Sequence, residues 1–397
     1  MRIQMTGRMK IVLVVLTLVS TRLPAQEYKP NLPLDHPAIQ YFKAPVHDPV
    51  SRLADVPQSL EALLKQLGIN TDSQMLVFSK TSFQAPKISP DNPRALYFTD
   101  DAAVGFVRGS ENLEVAALDP VLGPIFYELG KDKDGTFRFE RKPVCLNCHQ
   151  GPNTSGVAGI YIGSVIPGPS GVPLRDESAI ITDHRTEFKE RWGGWYVNAK
   201  RGEQPDRANA VAMNPSEPDM LVRDSQQNLS NLIGKFNPSG YLTAVSDIVA
   251  LMTFEHQTQM VNYFTRAGWQ SRMGVEPELE ELVGYMLFAK ESALVEPIEG
   301  ISTFSKTFPQ RGPRDKKGRS LRDFDLQTRI FKYPLSYMIY SASFDALPSA
   351  VRDRIYRRLY DILNGTEYAH LSAADRLALL EILRDTKADL PEYWSRR

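Results

Sequence analysis

Five consecutive residues, Cys145-Leu146-Asn147-Cys148-His149, bring two thiols and an imidazole within one turn of chain. Two cysteines separated by two residues, with a histidine directly after the second, suit covalent haem attachment. The thiols add across the haem vinyl groups and the imidazole ligates the iron from one face. The chain has 397 residues and these are its only two cysteines. The spacing therefore predicts haem attachment at Cys145 and Cys148, a metal ligand at His149, and one covalently bound haem c with its iron. A structural disulfide is the competing use of the same pair. Zinc is disfavoured, because no distant Cys-x-x-Cys completes four ligands. A thioredoxin-like redox pair wants a helix after the motif, and Gly151, Pro152 and Gly156 follow instead.

A haem iron needs a sixth partner, or an open position where one would stand. His256 and Met260 lie one helical turn apart on an inward face, so one of them at most reaches an iron. His256 ranks first as the second metal ligand, His184 next, and an open site third. Met213 and Met220 sit in a loop that holds side chains less firmly than a helix. The plain alternative is that His256 bonds a group within the core. Histidine in this position gives a lower potential than methionine. His184 lies beside Arg185, Arg191 and the cluster Trp192-Gly193-Gly194-Trp195. Arg185 and Arg191 are candidate propionate partners, since a guanidinium matches a carboxylate in two-pronged fashion. Trp192 and Trp195 are candidate haem-pocket walls, and the glycines between them let backbone approach a neighbour closely. A packed turn with aromatic flanks explains the same four residues without a cofactor.

Several elements must position these groups. Residues 1–25 read as a signal peptide. Arg2, Arg8 and Lys10 precede the apolar run Ile11 to Val19, and Ala25 offers a small residue for cleavage before Gln26. The expected location is periplasmic or otherwise exported, with membrane contact only if that segment stays uncleaved. Residues 26–54 are proline-rich and read as an extended arm. One helix is expected over Pro57 to Leu67. Short strands follow at Met75–Phe78, Ala95–Phe98, Ala103–Val107, Leu113–Ala117, Ile125–Leu129 and Thr136–Glu140, with polar turns between them. From Leu242 onward the pattern turns helical, with Val245, Val249, Met252, His256, Met260 and Tyr263 on one face. Two further helices are expected at Ala350–Leu363 and after Ser372, the latter with Leu377, Leu380 and Leu383 buried. The fold class is α+β, with a strand-rich N-terminal half carrying the haem motif and a mainly helical C-terminal half. The expected division is 1–25, then a strand-rich haem-attachment region at 26–230, then a mainly helical region at 231–397 packing on it.

The Cys145–His149 stretch resembles that of the c-type cytochromes. The phrases Phe78 to Ser82, Glu190 to Tyr196 and Glu255 to Met260 are similar to those of a poorly characterised group of exported bacterial single-haem proteins. That resemblance implies an exported haem protein and names no activity. The leading expectation is electron transfer with a redox protein partner. The alternative is a haem-dependent oxidoreductase, such as a peroxidase or oxygenase, acting on a small-molecule substrate, with Glu255 or Arg185 on the distal side. A haem-based sensor ranks third, because no signalling domain accompanies the motif. Zero formal net charge gives no nucleic-acid footprint. The basic turn Gly312 to Arg319 lacks phosphate-loop spacing, so no nucleotide is expected.

Overall fold

The computed structural model describes residues 37–174, 179–213, 221–223 and 228–395. The predicted signal segment and Met220 lie outside the described residues. Six strands follow one another as an antiparallel meander: β1 Met75–Val77, β2 Arg94–Phe98, β3 Ala102–Val107, β4 Leu113–Asp119, β5 Gly123–Lys131 and β6 Phe137–Arg141. Tight turns set this order. Asp132 Oδ1 accepts from the amides of Asp134 and Thr136, folding the β5–β6 corner with Gly135 in the left-handed region. Strands β7 Ile162–Ser164 and β8 Ile180–Thr182 pair only with each other, and β9 Trp195–Tyr196 returns to the free edge of β1. The large sheet thus runs β6-β5-β4-β3-β2-β1-β9. The expected α+β class is what the chain adopts, with strands concentrated in its first half and helices in its second.

Alternation along the strands builds a core on each face. Leu76, Ala95, Tyr97, Val104, Val115 and Leu129 face the helix Leu60–Gln66 and its Leu63 and Leu64. Met75, Val77 and Phe98 face the other way, into the larger core of the helical half. There Phe98 meets Phe254 with ring centroids 4.6 Å apart.

Phe254 belongs to the long helix Ile248–Arg272, which Asp247 caps. The predicted inward face is real but too narrow, because Leu251, Phe254, Val261 and Phe264 are buried as well. The helix is enclosed because the sheet covers one side and the later helices Glu280–Met286 and Ser349–Asn364 cover others. The last helix, Ala373–Thr386, begins with the expected Ser372–Asp375 capping box. Its buried stripe is Leu379, Leu380, Ile382 and Leu383, whereas Leu377 is 57% exposed. The proline-rich arm is partly helical, at Pro37–Lys43. Among the described residues no helix is long and apolar enough to cross a membrane.

Candidate functional site

Strand β6 ends at Arg141, and the chain turns through Pro143–Cys145 into a single helical turn, Leu146–His149. Leu146 is the anchor, buried in a cluster with Tyr41, Phe126, Val157 and Trp269, against which Cys145 also packs. Both cysteines are free thiols, Cys145 half-buried and Cys148 exposed. Burial pushes the Cys145 thiol up to about 11, and the carboxylates of Glu114 and Glu128 add to the shift.

His149 lies between the rings of Phe126 and Tyr161, at 4.7 and 5.5 Å. Its Nδ1 meets the carbonyl oxygen of Gly159 at 3.0 Å, and its own carbonyl accepts from the Gly159 amide. A carbonyl only accepts, so Nδ1 carries the proton. Crowding around the ring lowers its pKa to about 4, so the imidazole is neutral at physiological pH. The next residue, Ile160, is clamped to the long helix by Asn262, whose side chain accepts from its amide and donates to its carbonyl. Asn262 was not singled out from sequence; a lone asparagine on a helix carries no signal of its own.

The other predicted residues gather elsewhere, in a polar network inside the helical half. His184 Nδ1 and His256 Nδ1 are 2.9 Å apart, and His256 Nε2 lies 2.7 Å from Ser336 Oγ. Of two facing imidazole nitrogens one must accept, so the pair cannot bind protons at both. Burial holds both histidines well below the usual range; nearby Arg185 and Arg191 add to this for His184, and His184 itself does for His256. The rings stack with Tyr285 and Phe288. Arg191, 1% exposed, donates to the carbonyls of Thr186 and His184 and pairs with Glu255 at 3.4 Å. Trp192 Nε1 donates to Glu255 Oε1 at 3.0 Å. Burial pushes Glu255 up to about 7 even with Arg191 and these hydrogen bonds opposing it. Arg185 pairs with Asp183 at 2.6 Å and lies over the Tyr285 ring.

His184, Arg191, Trp192, Glu255, His256 and Ser336 are all buried. The network staples the 183–195 segment to the long helix. Ser336 had no motif to betray it. Met260 is buried in the apolar core and Met213 is 59% exposed. Trp195 donates to the Gly163 carbonyl at 2.8 Å. The glycine pair permits close backbone approach as expected, but to protein. A Cβ on Gly193 would lie 1.9 Å from the Val165 carbonyl oxygen, and one on Gly194, at φ +87°, 2.6 Å from Ser79 Cβ.

These placements correct the haem reading. Among the described residues no group of three or more His, Cys, Asp or Glu side chains is arranged to hold a metal ion. Among the described residues no further ligand is gathered with Cys145, Cys148 and His149, and Arg185 and Arg191, expected on propionates, are engaged by protein groups. The predicted haem c, the resemblance to c-type cytochromes and to exported single-haem proteins, and the electron-transfer, peroxidase and oxygenase activities are withdrawn on this ground. Compared with family models, curated proteins and solved structures, the chain matches none.

Proposed function

We propose that this chain is an exported thiol–disulfide redox protein whose working groups are Cys145 and Cys148. The observation that carries the reading is the pair itself: two free thiols three residues apart, Cys145 at the N-cap of the turn that holds Cys148, one half-buried and the other exposed. Helix positions three apart bring Cβ atoms within about 5–6 Å, so a small closing movement makes a disulfide. The exposed Cys148 thiolate attacks a disulfide of a partner protein. That S–S bond breaks, one partner sulfur leaves and takes up a proton, and a mixed disulfide forms. Cys145 then gives up its proton and attacks Cys148 Sγ, expelling the second partner sulfur as a thiol. Two electrons and two protons pass from the dithiol to the partner disulfide.

The surroundings set the character of this couple. Strong oxidants stabilise their reduced form as a thiolate at the start of a long helix or beside an imidazolium. Here the helix has one turn, His149 is neutral, and the Cys145 thiol stays protonated up to about pH 11. The couple is therefore reducing, and its second step quickens as pH rises. Equilibration in glutathione buffers, followed by alkylation and mass spectrometry, tests this. One internal disulfide is expected in the wild type, and a mixed disulfide with glutathione at Cys148 in Cys145→Ser. Separate glutathionylation of both wild-type thiols, with no internal disulfide, rules the reading out.

A further inference from the structure

A cleft of about 330 Å³ opens beside the β2–β3 turn, on the side of the sheet that faces the helical half. Its walls include Asp100 and Asp101 from that turn, Arg311, and the segment Tyr340 to Ser343. The volume is that of a small-molecule site. Three features make its polar groups unusual. The Arg311 guanidinium stands over the rings of Phe304 and Phe308, both at 5.9 Å, and among the described residues it has no hydrogen-bonding or ion-pairing partner. Partial burial lowers its pKa, as happens when a cation is removed from water without a full counter-charge. The second feature is Ser343, 4% exposed, whose hydroxyl has no hydrogen-bond partner.

The third is the balance of charge. Asp100 is already neutralised by Arg322, which holds it with both terminal nitrogens from over the Phe308 and Tyr337 rings. Asp101 accepts from Thr99 and lies 4.0 Å from Arg52 at the exposed rim. Asp100 and Asp72 act on Arg311 electrostatically but take up none of its N–H donors, so the guanidinium fork is left to the cleft. Leu118, Pro120 and Ala342 supply an apolar wall.

We propose that this cleft binds a small organic monoanion, a carboxylic acid with a short apolar body, its carboxylate on the Arg311 guanidinium. A guanidinium takes a carboxylate in two-pronged fashion. Inorganic phosphate or sulfate offers the charge but leaves the apolar wall unfilled. A neutral amide of the same shape fills the wall but offers Arg311 no charge.

Calorimetric titration of the full chain with acetate, butyrate and benzoate tests this, with benzamide and sulfate as controls. Saturable binding is expected for butyrate or benzoate, at least about tenfold tighter than for benzamide or sulfate. Arg311→Gln should weaken it by about tenfold or more. Arg311 makes no hydrogen bond, so its replacement leaves folding intact, which circular dichroism checks. Arg311→Lys keeps the charge but loses the fork, and should lie between wild type and Arg311→Gln. No saturable binding of any of the three acids overturns the proposal. So does benzoate binding that is unchanged in Arg311→Gln or matched by benzamide.

Discussion

Glu255 shows how a residue's chemistry is set by its surroundings. In sequence it is one acid beside a histidine; in the fold it is fully buried between Arg191 and Trp192 and pushed up to about 7. A carboxyl whose pKa rises on folding binds more protons folded than unfolded between about pH 4.5 and 7. Its contribution to stability is therefore greatest below that window and is lost as pH rises through it. His184 and His256 have the opposite sign. Their pKa values are lowered, so the folded state resists protonation and stability falls as pH drops below their ordinary 6.5. Glu255→Gln isolates the first effect. Relative to wild type, this variant should gain up to about 3 kcal/mol in chemical denaturation on going from pH 5 to pH 8. A stability difference that does not change with pH would mean that Glu255 is ionised throughout.

At the scale of elements, a single cap can fix two segments at once. Asp247, 1% exposed, caps the long helix through Oδ1, which accepts from Val249 and Ala250, while Oδ2 accepts from the amides of Ile301 and Ser302. One carboxylate thus fixes both the helix start and the loop beside it. Asp247→Ala should cost about 3–5 kcal/mol, a lost cap plus amides left without partners. Urea denaturation would show this as a lower midpoint, and a cost under about 1 kcal/mol would contradict it. The meander was legible because its polar turns and alternating strands are local signals. Leu377 was misplaced because three leucines at spacing three fit a stripe, yet packing against Ser349–Asn364 buries Leu379 and Ile382 instead. The Cys145–His149 motif was plain as a spacing, but what gathers around it depends on contacts made across the chain. Nothing local marked Ser336 as the partner of His256, eighty residues earlier. Nothing in the sequence marked Arg311 either.

Over the whole molecule, the strand-rich and helical halves are bound through polar ties as well as through a shared core. Gln74 Nε2 donates to the carbonyls of Thr243 and Val245, and the Asp247 amide donates back to the Gln74 carbonyl. The Ser246 hydroxyl donates to the Tyr196 carbonyl and accepts from the Leu76 amide. Thr303 and Thr307 both donate to Asp72, and Arg322 reaches across to Asp100. Met75, Val77 and Phe98 of the sheet belong to the same apolar cluster as the long helix and the terminal helices. A boundary near residue 230 therefore divides the chain by composition, while the packing joins its two sides. Removing either side would strip the sheet of one face and leave these buried donors and acceptors without partners, each costing about 1–3 kcal/mol. We expect the halves to unfold together. In hydrogen exchange under increasing urea, peptides from Arg94–Lys131 and from Ile248–Arg272 should lose protection at one common concentration. Two separated transitions, with the strands surviving after the long helix has opened, would show instead that the composition boundary is also an energetic one.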